Sequence, residues 1–89
     1  MAILMVPSSL RRYTNQQSRI TLSVSSIEEA LKRFSEDSCE LRNHLFSGQA
    51  LRKFIVVCKN GQDIRLLDGL QTLVNDSDEV QIIASVAGG

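Results

Sequence analysis

The hydrophobic period of this chain changes at Ser26, and the change limits the folds that the chain can adopt. Before Ser26, apolar residues alternate with polar ones, as in a strand with one buried face, at Ile20, Leu22 and Val24. After Ser26 the spacing becomes helical, at Ile27, Ala30, Leu31 and Phe34. Ser26 and Glu29 together match the capping box of a helix N-terminus. The sequence therefore predicts an amphipathic helix of about three turns that follows a strand.

Further strand patterns flank this helix. Residues 3–6 form an apolar run that ends at Pro7, and residues 54–58 are apolar and rich in β-branched side chains, as expected of a central strand. Asn60-Gly61 predicts a tight hairpin, with Asp63-Ile64-Arg65 as a short returning strand. The last strand is predicted from the alternation of Val80, Ile82, Ala84 and Val86.

Two stretches between these elements have weaker patterns. Residues 40–51 contain a short second helical pattern, and Asp68-Gly69 begins an irregular segment in which Leu70, Leu73 and Val74 are expected to contact the core. Residues 75–78, Asn-Asp-Ser-Asp, predict a turn.

The resulting order is two strands, a helix and then further strands. The simplest packing places the first and last strands side by side at the centre of a mixed sheet, with the main helix across one face. This is an α+β domain of the β-grasp type. We expect residues 1–87 to form this domain and residues 88–89, Gly-Gly, to form a flexible tail.

Composition excludes some functions. The formal net charge is +0, which gives no electrostatic support for general binding to nucleic acid or to a membrane surface. The charge is unevenly distributed, because the chain carries no acid before Glu28 and no Lys or Arg after Arg65. No run reaches membrane-spanning length, and two cysteines without a signal peptide predict a reduced, cytoplasmic protein.

The Gly88-Gly89 ending directly follows the last strand pattern. A tail with almost no side chains can enter a narrow channel that any Cβ would obstruct. The reactive group that such a tail delivers is the terminal carboxylate. The sequence thus indicates a protein whose own C-terminal carboxylate is the reacting group.

Several motifs resemble the ubiquitin-like sulfur carriers of the MoaD and ThiS family. They are Asn60-Gly61, the segment 76–80 (Asp-Ser-Asp-Glu-Val) and the ending 86–89 (Val-Ala-Gly-Gly). The CysO-like branch is most similar, through Pro7 with residues 10–14 (Leu-Arg-Arg-Tyr-Thr) and through residues 63–70 (Asp-Ile-Arg-Leu-Leu-Asp-Gly-Leu). Two departures are Ser77, where the family has a turn glycine, and Ala84-Ser85, where it often has proline.

The resemblance implies a carrier that is a cosubstrate and not an enzyme. An ATP-dependent, MoeB/ThiF-like activating enzyme would adenylate Gly89, and sulfur would then convert it to a thiocarboxylate for a sulfur-accepting synthase. No bound cofactor is expected, since the sequence has neither a P-loop nor a metal-ligand cluster. The acceptor pathway stays open among cysteine, molybdopterin, thiamin and a specialised metabolite. The alternatives are a protein modifier that forms isopeptide bonds through Gly89 and a β-grasp interaction module with an inert tail.

The site residues follow from the same resemblance. Gly89 is the predicted adenylation and thiocarboxylate site, and Gly88 and Ala87 complete the tail. Ubiquitin-like carriers dock through an exposed apolar sheet patch, and the residues at matching positions are Pro7, Leu10 and Ile83. Ile83 alternates out of phase with Ile82 and Ala84, which are expected to face inward, so its side chain is predicted to point outward.

Other reactive residue types receive structural interpretations. Arg11 and Arg12 are given only a minor docking role. His44 is expected on the surface of a short helix, and Cys58 is expected to be a small core residue. Cys39 falls in a polar loop with no flanking cation to activate it, and Asp76 and Asp78 fit turn chemistry better than acid/base catalysis.

Overall fold

The computed structural model describes residues 1–84. The predictions for Val86, for the domain boundary at residue 87 and for the flexible Gly88-Gly89 tail therefore lie outside the described residues. Within that range, the strands and α-helices in chain order are β1 Ala2–Met5, β2 Arg19–Leu22, α1 Ile27–Phe34, α2 Cys39–Leu45, β3 Phe46–Ser47, β4 Ala50–Leu51, β5 Ile55–Lys59, β6 Gln62–Asp63 and β7 Glu79–Ala84. Short 3-10 helices span Ser8–Tyr13, Ile64–Leu66 and Gly69–Gln71.

The main sheet has five strands in the order β2-β1-β7-β5-β6. The central pair, β1 and β7, is parallel, with Leu4 opposite Val80, whereas the other neighbours are antiparallel. The first and last strands thus lie side by side at the centre, as the sequence predicted. The sheet is mixed and the architecture is the predicted β-grasp, while β3 and β4 form a separate small hairpin.

Helix α1 begins at the predicted N-cap, Ser26, but the return hydrogen bond of the capping box is shifted by one residue, to Ser25. The Oγ of Ser26 accepts a hydrogen bond from the Glu29 backbone N–H at 3.2 Å, and the Glu29 carboxylate accepts one from the Ser25 N–H at 2.8 Å. Its apolar stripe packs onto the sheet, where Ile27 and Leu31 are fully buried. The short second helix, α2, is capped in the same way, because the Ser38 Oγ accepts the Leu41 N–H at 3.1 Å.

The predicted Asn60-Gly61 turn is present and is tied to the start of β7. Both residues have positive φ, 52° and 83°, as a two-residue hairpin turn of type I′ requires. The Asn60 side-chain amide donates to the Asp78 carboxylate at 2.9 Å, and its oxygen accepts the Glu79 N–H at 2.9 Å. The turn therefore fixes where β7 begins.

The segment after this turn corrects one prediction. The returning strand stops at Asp63, and Ile64–Leu66 is a 3-10 helix instead. The cause is local, because the Asp63 carboxylate accepts both the backbone N–H and the guanidinium of Arg65, the closest contact being 2.7 Å. Both bonds lower the pKa of Asp63, the one from the Arg65 side chain most. The ionised carboxylate therefore caps the 3-10 helix.

Two further expectations change in the irregular stretch and its turn. Leu73 was expected in the core but its side chain is 69% exposed, whereas Val74 is buried. Ser77, at the position of a family glycine, is not among the described residues with positive φ. The turn hydrogen bond from the Asp78 N–H to the Asn75 carbonyl still forms at 3.0 Å. The serine is thus accommodated by a different turn and not by backbone strain.

The Asp78 carboxylate is the centre of the polar network at the start of β7. It accepts the Asn75 backbone N–H at 2.7 Å and the Asn60 amide, and the Lys59 ammonium lies 3.7 Å away. The hydrogen bond from the Asn75 backbone lowers the pKa of Asp78 most, and the bond from the Asn60 amide lowers it further. Burial raises this pKa, whereas the positive charge of Lys59 lowers it. Ionised Asp78 therefore stabilises the turn before β7.

We predict that Asp78→Asn lowers the free energy of unfolding at neutral pH. A carboxyl whose folded pKa is depressed contributes stability above its unfolded pKa, about 3.9, and that stability is lost as the pH falls through the lower folded value. When the pH is lowered from neutral to strongly acidic, the free energy of unfolding should therefore fall less for the variant than for the parent chain. Denaturant unfolding at each pH measures this difference. Asp76→Asn is the matched control, since the Asp76 side chain is 91% exposed. Equal pH dependence in both variants would contradict the role assigned to Asp78.

We also predict that Leu31→Ala costs about 2–5 kcal/mol, because the side chain is fully buried between α1 and the sheet. Urea unfolding measures the loss. The neighbouring Lys32→Ala, whose side chain is 67% exposed, should stay within about 0.5 kcal/mol of the parent. A Leu31 variant as stable as the Lys32 variant would show that the helix packs through another face.

Candidate functional site: the groove beside the end of the last strand

The described chain ends at the carboxyl end of β7, near the middle of one edge of the sheet. Ala84 lies opposite Ile55 at the start of β5. On the other side, Gln81 lies opposite Met5 at the end of β1. Because β1 and β7 are parallel, the chain leaves β1 through Val6-Pro7 at the same edge at which β7 ends. The described part of the chain therefore ends at this edge.

Strand β7 shows two faces. Val80 and Ile82 are buried beneath α1, whereas Gln81 and Ile83 point to the open face of the sheet. Ile83 is 41% exposed, one of the few large apolar side chains in residues 1–84 to be so exposed. The predicted outward orientation of Ile83 is confirmed.

A groove of about 470 Å³ lies along the end of β7 and separates it from the segments that follow β1 and precede β2. Its lining mixes apolar and cationic side chains and comprises Met5, Val6, Pro7, Arg11, Ser18, Arg19, Gln81, Ile82, Ile83 and Ala84. The Nε of Arg11 donates to the Val6 carbonyl at 3.2 Å, which holds this guanidinium at the groove. No carboxylate is among these lining residues. The groove therefore combines apolar and polar side chains, and its two charged lining residues are arginines.

The structure separates the three predicted docking residues. Pro7 and Ile83 both line the groove, Pro7 being half-buried. Leu10 is a correction to the predicted exposed patch, because its side chain is only 4% exposed and belongs to the core cluster. The 3-10 helix Ser8–Tyr13, which the sequence analysis did not predict, turns Leu10 inward. Gly89, Gly88 and Ala87 lie outside the described residues.

Arg11 and Arg19 are the groove residues that sequence reasoning undervalued. The sequence does contain a signal of a cationic region, because no acid occurs before Glu28. That signal does not show that these two arginines lie beside β7. Arg12 behaves differently from its neighbour. Its guanidinium lies 3.1 Å from Glu40 and 4.9 Å from the Tyr13 ring centroid, away from the groove. The hydrogen bond with the Tyr13 hydroxyl raises the pKa of Arg12.

The other reactive side chains are dispersed. Cys39 is exposed and lies at the first turn of α2, not in the predicted loop. Cys58 is half-buried in β5, less enclosed than predicted. His44 is half-buried, with its ring 6.1 Å from Tyr13. Within residues 1–84, no group of His, Cys, Asp and Glu could hold a metal ion, and no helix is long and apolar enough to cross a bilayer.

The β-grasp sheet with a helix across one face defines the ubiquitin-like class of small proteins. Comparison of the sequence with family models narrows the class. The ThiS family model matches residues 4–89, and the chain belongs to that family.

Individual relatives agree with this assignment. The sulfur carrier protein CysO of Mycobacterium tuberculosis is 26% identical over 87 residues, with 94% of each chain covered. A chain in the crystal structure of the Amycolatopsis orientalis BexX/CysO complex matches with a TM-score of 0.89 and 26% identity, over 100% of both chains. The small archaeal modifier protein 1 of Methanosarcina acetivorans matches with a TM-score of 0.86 and 27% identity, over 99% of this chain and 95% of the other.

Proposed function

We propose that this protein is a sulfur carrier whose Gly89 carboxylate is activated and converted to a thiocarboxylate. The observation that carries the proposal is the match to the ThiS family, which extends through Gly88-Gly89, on a fold whose last strand ends beside an open groove. The similarity to the sulfur carrier CysO supports the same activity. The carrier acts as a cosubstrate of other proteins.

The proposed chemistry needs an activation step, because a carboxylate is anionic and lacks a leaving group. One Gly89 carboxylate oxygen attacks the α-phosphorus of ATP, forms an acyl-adenylate and releases pyrophosphate. Hydrosulfide then attacks the acyl carbon, the C–S bond forms, and AMP leaves with the bonding electrons of the C–O bond. The product is a C-terminal thiocarboxylate. ATP is bound by the activating partner, of the MoeB/ThiF type, and not by this chain.

The groove gives a reason for a partner to dock beside the tail. An apolar side chain on an open sheet face, Ile83, lies next to Pro7 and two guanidinium groups. A partner that covers this surface would be oriented with respect to the tail that follows β7. In the Amycolatopsis structure a similar chain occurs in a complex with another protein, BexX, and we propose that this chain likewise delivers sulfur to a synthase. Cysteine and specialised-metabolite pathways are favoured by the CysO likeness over molybdopterin or thiamin.

A second function is supported by one observation, the likeness to small archaeal modifier protein 1. A modifier would use the same activated Gly89 but transfer it to a lysine amine. Intact-protein mass spectrometry after incubation with ATP, sulfide and the activating enzyme distinguishes the two. A carrier gains the mass of one oxygen-to-sulfur replacement, whereas a modifier appears as conjugates to other proteins. Recovery of conjugates with no thiocarboxylate would replace the sulfur-carrier proposal.

We predict that deletion of Gly89 abolishes ATP–pyrophosphate exchange by the activating enzyme while the melting temperature changes little. The shortened tail misplaces the carboxylate by a whole residue, and displacement of a reacting group by about an ångström costs roughly a hundredfold in rate. Residue 89 lies beyond the last buried core residue of the described chain, Ile82, so little stability should be lost. Full exchange activity in the deletion variant would exclude Gly89 as the reactive end.

We further predict that Ile83→Asp raises the carrier concentration needed for half-maximal exchange, without loss of the fold. The new charge replaces an apolar contact on the open face, where the side chain is already 41% exposed. Thr21→Asp is the control, because Thr21 is also exposed on this sheet but does not line the groove. If both variants match the parent chain in exchange kinetics and in melting, the groove is not the docking surface.

A further inference from the structure

The segment after β6 exposes an unusual number of leucines. Five large apolar side chains are exposed in the described part of the chain, and three of them, Leu66, Leu67 and Leu73, fall within eight residues of one another. Leu66 is 75% exposed and Leu73 is 69% exposed. Single exposed leucines are normal on protein surfaces, but a local concentration of them marks an interaction site. We refer to these three leucines with Asp68 as the leucine surface.

This exposure belongs to a well-bonded part of the fold. The Asp68 N–H donates to the Thr72 Oγ at 3.0 Å, and Thr72 itself is buried. The Leu73 carbonyl accepts the Lys59 ammonium at 2.8 Å, which ties the segment to β5. On the other side, the Ile27 N–H donates to the Thr72 carbonyl at 3.0 Å, which ties it to α1. The backbone is therefore held in place while the leucine side chains face water.

The charged side chain on the leucine surface is a carboxylate, that of Asp68, whereas Asp63, Asp76 and Asp78 in the same part of the chain each lie beside a cation. Residues 59–84 carry five carboxylates and only two cations, Lys59 and Arg65. Both cations are engaged, Lys59 beside Asp78 and Arg65 on Asp63. The Asp68 carboxylate has neither a hydrogen-bond donor nor an ion-pair partner among residues 1–84. An apolar ligand with positive charge is therefore the complementary one.

The groove and the leucine surface lie toward opposite ends of β7. The Lys59 ammonium contacts the leucine segment, and Lys59 pairs with Val80 near the start of β7, whereas the groove lies at Ile83 and Ala84. The five residue steps from Glu79 to Ala84 span about 16 Å. The groove carries two arginines, Arg11 and Arg19, whereas the leucine surface carries the carboxylate of Asp68. A partner that contacts both can bind in only one orientation.

From these observations we propose that the leucine surface docks a segment of the activating enzyme that presents apolar side chains beside Lys or Arg. This inference rests on the proposed function for the identity of the partner, but not for the chemistry of the surface. A second contact well behind the tail would fix the direction in which the strand end points. Such orientation matters because the rate of adenylation depends steeply on the position of the carboxylate.

The chemistry of the surface is tested with two synthetic amphipathic peptides, one of leucine and lysine and one of leucine and glutamate, by amide chemical shifts of the carrier. We expect the lysine peptide to shift residues 66–73 and the glutamate peptide to leave them unchanged. The double variant Leu66→Ser/Leu73→Ser should lose these shifts, and the exposed neighbour variant Gln71→Ser should keep them. No shift at residues 66–73, or equal shifts with both peptides, would overturn the proposal. So would shifts there that grow with carrier concentration alone, since these identify a second copy as the occupant.

The partner is tested by ATP–pyrophosphate exchange as a function of carrier concentration. The same double variant should raise the KM for the carrier about tenfold or more and also lower kcat, because the carboxylate is held less well in position, while Gln71→Ser has the parent KM and kcat. An unchanged KM in the double variant overturns the docking of the enzyme on this surface and leaves the proposed function intact. If the parent chain supports no exchange, the proposed function fails, and with it this choice of partner. The peptide experiment still decides the chemistry of the surface in that case.

Discussion

The parallel pairing of β1 with β7 is the constraint on which the rest of the structure depends. Two parallel neighbours cannot be joined by a tight turn, so the chain between them must cross a face of the sheet. Helix α1 makes that crossing and buries Ile27 and Leu31 against the strands. Because the two central strands run in the same direction, the end of β7 emerges beside the end of β1. The groove with Arg11 and Pro7 exists for that reason.

The two ends of β7 are built differently. At its start, the carboxylate of Asp78 and the side chain of Asn60 satisfy backbone N–H groups and fix the register of the strand. At its end, the strand runs out between β1 and β5 beside an open surface. One end is thus anchored by a satisfied polar network, and the other is left accessible. The proposed sulfur-carrier function would need this combination of a rigid strand and an open surface beside its end.

The distribution of charge also differs between the two ends of β7. Two arginines of the amino-terminal part, Arg11 and Arg19, come together at the groove, whereas the leucine surface carries the carboxylate of Asp68. Surface charges of this kind contribute little to folding stability. They instead govern the rate and the orientation of association with partners. A carrier with zero net charge can therefore still present strongly directional electrostatics.

The sequence by itself determined the elements whose signals are local. The Ser26 N-cap, the apolar stripe of α1 and the Asn60-Gly61 turn each depend on residues close in sequence, and each was predicted correctly, although α1 spans eight residues, about two turns, and not three. The central pairing of the first and last strands was also predictable, since few packings suit this order of elements. Side-chain alternation in β7 correctly placed Ile83 on the open face.

The tertiary structure alone decided the rest. Leu10 and Leu73 are equally apolar in sequence, yet a 3-10 turn buries the first, while the bonds that tie residues 68–73 to α1 and β5 leave the second in water. Arg11 and Arg19 meet at the groove only because β1 and β2 form a hairpin beside β7, a contact between distant residues that no local pattern records.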